Sequence, residues 1–109
     1  MMEEYRVIIT PDAEFDLNEL DDYITLELLA PETAVSYLNA IKNQILSLRT
    51  APRRYRVMEE EPWHSRGVRR MNARNFAVFY VVLEPEKEVY IQNIIYQKRD
   101  LPKVLREYE

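Results

Sequence analysis

An α+β fold, with an N-terminal strand and a helical hairpin packed on a small, mainly antiparallel sheet and a short C-terminal helix, is what the sequence predicts. Two apolar stripes at helical spacing sit side by side in the first half, separated only by Ala30-Pro31. Two long β-branched and aromatic runs follow in the second half, divided by the turn Glu84-Pro85-Glu86-Lys87. Helices grouped before a run of strands point to a helical layer lying on an antiparallel sheet.

Tyr5-Arg6-Val7-Ile8-Ile9 is short, β-branched and mostly apolar, the pattern of a partly covered strand. Thr10-Pro11 then starts a helix, with Thr10 as cap, Pro11 in the first turn and Asp12, Glu14 and Asp16 at the positive end of the dipole. Ala13, Leu17, Leu20, Ile24 and Leu28 place one apolar stripe along this helix to about residue 28. Pro31 restarts the chain as a second helix, and Ala34, Leu38, Ile41, Ile45 and Leu48 repeat the spacing. The short connection makes the pair an antiparallel hairpin, ended by Thr50-Ala51-Pro52.

Residues 53–66 read as irregular, with Tyr55-Arg56-Val57-Met58 as a brief strand. Val68 to Arg74 is extended, Asn75 is a turn position, and Phe76 to Leu83 is a nearly continuous apolar strand expected to be covered on both faces. In the last strand, Val89 to Gln97, strict alternation puts Val89, Ile91 and Ile95 on one face and Tyr90, Gln92, Ile94, Tyr96 and Lys98 on the other. Leu101 to Tyr108 is a short helix. One sheet face is left for a partner, and residues 1–109 form a single domain.

Composition removes many kinds of chemistry. The 109 residues contain no cysteine, one histidine and one glycine, which leaves no thiolate metal site, no imidazole cluster and no glycine-rich phosphate loop. Neither a cofactor nor a structural metal is expected. Ser36, Ser47 and Ser65 have no histidine and acid in a nucleophile arrangement. No apolar run reaches bilayer length and Met1-Met2-Glu3-Glu4 is acidic, so the expectation is a cytoplasmic protein with no membrane partner.

The net charge of −4 hides an uneven distribution. Residues 1–48 hold two basic and ten acidic side chains, whereas residues 49–109 hold thirteen basic and nine acidic. Such a charge dipole lets one surface meet anions while another stays solvated. Arginine, lysine and tyrosine must carry any chemistry, and the candidates are Arg69, Arg70, Arg74, Tyr96, Lys98 and Arg99, with His64 a weaker one. The expectation is that these cations converge into one accessible patch.

Three stretches in this order resemble the RelE/ParE superfamily of bacterial toxins: Gly67-Val68-Arg69-Arg70-Met71, similar to that family's Gly-x-Arg-x-Leu; Asn75-Phe76-Ala77-Val78-Phe79-Tyr80; and the closing Tyr96-Gln97-Lys98-Arg99-Asp100-Leu101. The resemblance spans nearly the whole chain. It implies the toxin of a type II toxin–antitoxin module, used in plasmid or chromosomal maintenance and restrained by a cognate antitoxin protein. It also implies one of two activities: ParE-like growth inhibition through DNA gyrase, or RelE-like cleavage of mRNA on the ribosome. A non-toxic protein-binding module on the same fold is a third reading.

The long hairpin and the Arg-Asp-Leu ending lean towards the ParE-like branch. A RelE-like, metal-independent endoribonuclease would need a base, an acid and cations around the phosphorane. Arg69, Arg70, Arg74, Lys98 and Arg99 would supply the charge, with Tyr96 or His64 moving the proton. The typical RelE tyrosine on the C-terminal helix has no clear counterpart, since Leu105 lies nearby and Tyr108 falls later. The resemblance favours Arg69, whereas strand alternation favours Arg70 and Arg74; a bulge near Gly67 or Asn75 would reconcile them. Lys98 and Arg99 are expected to lower the Tyr96 pKa towards that of a usable base. Packing at the sheet rim is the plainer role for Tyr96, as it is for Trp63.

Overall fold

The computed structural model describes residues 4–73 and 75–109. Thr10 starts the first helix as expected: its hydroxyl oxygen accepts from the Ala13 amide at 3.3 Å and donates to the Ile91 carbonyl at 2.7 Å. One side chain therefore caps the helix and pins it to the sheet. The helix α1 (Pro11–Asp22) runs on as a π-helical turn over Tyr23–Glu27, with Leu28 N–H bonded to Tyr23 O. Ala13, Leu17, Leu20 and Ile24 are buried along its stripe. Leu29, at φ +53°, reverses the chain into α2 (Pro31–Leu46), which buries Ala34, Leu38, Ile41 and Ile45 and tightens into a 3₁₀ turn over Ser47–Arg49.

The hairpin lies on a four-stranded sheet: β1 (Arg6–Ile9), β2 (Arg69–Asn72), β3 (Phe76–Leu83) and β4 (Glu88–Tyr96), in spatial order β1-β4-β3-β2. The pairs β2–β3 and β3–β4 are antiparallel, and β1 joins the edge of β4 in parallel. Leu20, Ile24, Ile41 and Ile45 from the helices meet Met71, Val78, Tyr80, Val89 and Ile91 from the sheet in one core. The chain closes with α3 (Leu101–Leu105), whose Leu101, Val104 and Leu105 extend that core. No helix among the described residues is long and apolar enough to cross a membrane.

Three expectations need correction. First, Tyr55 to Met58 is not a strand; Val57 makes one isolated bridge to Arg69, and the segment runs beside the β2 edge through Met58 N–H to Val68 O and Arg70 N–H to Arg56 O. Second, β3 is covered by helices on one face only, because the described residues form no second helical layer; Phe79 and Val81 are half-buried and Leu83 is exposed on the other. Third, strict alternation fails in β4. Tyr80 pairs with Ile91 but Phe79 pairs with Asn93, so Gln92 is an extra residue, a β-bulge that reverses which side chains face inward. Ile94 is consequently buried with Val89 and Ile91, Tyr96 packs against the core, and Ile95 is 58% exposed. The disturbed backbone is satisfied from the helical layer, where the Asp16 carboxylate accepts from Ile94 N–H at 2.9 Å.

Candidate functional site

The sheet face turned away from the hairpin is the surface available to a partner. Strand β2 sends Met71 into the core, so by parity Arg69 lies on the helix side and Arg70 and Asn72 on the open side. Arg69 is committed there as a tether, its guanidinium donating to Tyr55 O at 2.6 Å and Arg53 O at 3.2 Å. Arg70 lies across the open face, with its guanidinium carbon 5.3 Å above the Phe79 ring and Nε bonded to Asn72 Oδ1 at 2.7 Å. That stacking leaves the terminal nitrogens of Arg70 for an incoming acceptor.

Three adjoining clefts cover this face. One of about 440 Å³ is walled by Arg54, Arg56, Arg70 and Asn72, with Glu59 and Glu60 on its rim. The next, about 470 Å³, is largely apolar, framed by Trp63, Met58, Val68, Phe79 and Ile95. The third, about 180 Å³, sits at the β2–β3 corner between Arg70, Asn72, Asn75 and Gln97. Tyr80 fixes the wall of the first: its buried hydroxyl donates to Pro52 O at 2.6 Å and anchors the start of the 52–58 segment.

Residues 7–101 match the family described as the ParE toxin of type II toxin–antitoxin system, parDE. The chain belongs to that family. This ParE-family toxin is also similar in fold to the toxin–antitoxin complex RelBE2 from Mycobacterium tuberculosis, at TM-score 0.65 and 19% identity over 86% of this chain and 99% of that one. Against the chromosomal ParDE system from P. aeruginosa the TM-score is 0.70 and the identity 23%, over 88% of this chain and 99% of that one. A comparison with curated proteins finds no match.

The ParE-family toxin does not gather its candidate cations into the expected single patch. Arg69 and Arg70 diverge to opposite faces because they are neighbours on one strand. Lys98 turns to the helical side, its Nζ 4.8 Å above the Tyr23 ring, and Arg99 is exposed in the turn that follows β4. Arg74 lies outside the described residues. His64 is exposed in the loop before β2; its Nδ1 is 2.9 Å from Met58 O, so the Nδ1–H tautomer donates there and leaves Nε2 free.

Tyr96 differs from expectation in sign. Its pKa is raised, first by burial and then by Glu19, Tyr23, Asp16 and Glu27, because the bulge turns it towards the acidic α1 and the π-helical turn that follows it rather than towards Lys98 and Arg99. Tyr108 is spent on packing, its ring edge-on to Tyr37 at 5.2 Å between centroids. The residues missed from sequence are Arg54, Arg56, Asn72, Asn75 and Phe79. The cluster Arg53-Arg54-x-Arg56 and the outward parity of Phe79 were the available signals; nothing in the sequence marks Asn75 as buried.

Proposed function

We propose that this protein is the growth-inhibiting half of a type II module used in plasmid or chromosomal maintenance, that it works by binding, and that DNA gyrase is its target. A cognate antitoxin protein restrains it by covering the open sheet face, and both encounters take place in the cytoplasm. The membership in the ParE toxin family supports the toxin assignment. The observation that supports a mode of action by binding is geometric: Arg69, the cation the resemblance favours, is already bound to two backbone carbonyls, and Tyr96 packs against the core, where burial raises its pKa. Binding needs neither group to be free.

The deciding experiment gives the purified protein gyrase with supercoiled and relaxed plasmid in one series, and translating ribosomes with mRNA in another. Trapped DNA breaks with lost supercoiling activity, and intact mRNA, are the expected results. Cleavage confined to translated mRNA would replace this reading by the endoribonuclease. Inertness in both series, with no growth arrest on induction, would leave a protein-binding module.

A further inference from the structure

Among the described residues one buried side-chain atom lacks a hydrogen-bond partner, and it is Nδ2 of Asn75. Asn75 is only 5% exposed, and buried polar groups in folded proteins are nearly always paired. Its Oδ1 accepts from the Tyr37 hydroxyl. Turning the amide over would not help, since Tyr37 would lose its acceptor and Oδ1 would become the orphan. The carbonyl end of the amide faces Tyr37 and the C-terminal segment. Asn75 lines the corner cleft with Arg70, Asn72 and Gln97, and also the cleft of Tyr37, Val104 and Tyr108.

The corner cleft is built from donors. Arg70 uses only Nε internally, Asn72 has its oxygen occupied by that Nε and its NH₂ left over, and among the described residues no carboxylate lines the cleft. Such a set fits an oxyanion. The surroundings discriminate between kinds: the cleft that shares Ile95 with the corner carries Asp16 and Glu60 and no cation among the described residues, which would repel a phosphodiester chain continuing over it. A polypeptide carries its charge at one position and meets no such penalty. Ile95 is shared with the apolar cleft of Trp63 and Phe79, so a chain anchored at the corner passes directly over an apolar receptor.

We propose that the corner cleft of Arg70, Asn72, Asn75 and Gln97 binds the carboxylate of an acidic side chain on an extended segment of a polypeptide partner, while an apolar side chain two positions away fills the Trp63–Phe79 cleft. Alternate residues of an extended chain share a face about 7 Å apart, and the two clefts adjoin at Ile95, so the pattern expected of the partner is acidic-x-apolar. The inference rests on the reading that a protein partner covers this face, and it specifies what that partner must present.

The probe is a capped peptide, Thr-Asp-Thr-Phe-Thr, titrated into the full-length ¹⁵N-labelled protein by NMR, beside the same peptide with Asn for Asp and beside inorganic phosphate. The Asp peptide is expected to shift the Asn75 side-chain NH₂ and Arg70 Nε–H signals, and the Asn peptide to bind at least about tenfold more weakly, the scale of one charge-assisted bond. Arg70→Gln, an exposed change that spares the core, is expected to weaken the Asp peptide by about tenfold as well, and Asn75→Ala likewise if it folds. Equal binding of the two peptides, no shift at Asn75 up to about 5 mM peptide, or an unchanged affinity in Arg70→Gln would overturn the proposal. Phosphate binding there as tightly as the Asp peptide would overturn it too, in favour of a phosphodiester. Growth arrest on induction is read separately: arrest without peptide binding rejects this site alone, and binding without arrest rejects the toxin reading alone.

Discussion

Removing a single oxygen from the core, by Tyr80→Phe, tests how the wall of the open face is held. Tyr80 is fully buried and its hydroxyl donates to Pro52 O at 2.6 Å, so the phenylalanine fills the same space but leaves a carbonyl unpaired. The expected loss is about 2 kcal/mol at neutral pH. Unfolding a chain of 109 residues carries roughly 0.23 kcal/mol per kelvin of entropy, so the Tm should fall by about 9 °C. The pH dependence is a sharper test. Burial pushes the Tyr80 pKa up to about 12. The unfolded chain releases this proton near 10, so between the two values the native state binds more protons and stability falls as pH rises. The advantage over Tyr80→Phe is therefore complete below about pH 10, loses roughly 1.4 kcal/mol by about pH 11, and loses roughly 2.7 kcal/mol once pH passes about 12. Tyr37, also pushed up to about 12 by burial, is present in both proteins and cancels in the difference. Urea unfolding of both proteins from about pH 8 to about pH 11 measures the gap. A gap that does not narrow, or that is absent at the lower pH, would refute the reasoning.

Four other outcomes are expected. Arg69→Ala should cost about 1–2 kcal/mol in urea unfolding, because it releases the Arg53 and Tyr55 carbonyls that hold the loop to β2. Arg70→Ala, by contrast, should change stability by less than about 0.5 kcal/mol, since its side chain lies on the exposed face. In Thr10→Ala, loss of both the cap and the bond to Ile91 O should lower the unfolding free energy by about 1–2 kcal/mol. Tyr96→Phe should retain full growth arrest on induction, as a toxin that acts by binding needs no proton from that hydroxyl; a lost arrest in a folded variant would restore Tyr96 to the chemistry.

The helical hairpin was legible because its signals are local. A threonine before Pro11 caps within three residues, and an apolar side chain every three or four positions can only form one stripe. Neither depends on what the helix later meets. The strands were legible in position for the same reason, but their facing was not, since parity holds only while the ladder is unbroken. Gln92 is not glycine, proline or any residue that marks a bulge, and the extra residue exists because β4 must pair with β3 while Ile94 reaches the core and its N–H reaches Asp16. From that one slip follow the burial of Ile94, the exposure of Ile95 and the acidic surroundings of Tyr96.

Charge shows the same division. A count along the chain finds the basic half correctly, but adjacent arginines on a strand must part, and which becomes a tether depends on the carbonyls that the 52–58 segment presents. Asn75 reads as a turn residue until Tyr37, 38 positions earlier, meets it in the core. The sequence by itself determined the α+β layering, the helices, the strands other than the one expected at residues 55–58, and the family, because each is written in short-range periodicity or in motif order. Only the tertiary structure decided which cations remain free, which way Tyr96 titrates and where an unpaired donor waits, because those depend on fields and partners contributed by residues far apart in the chain.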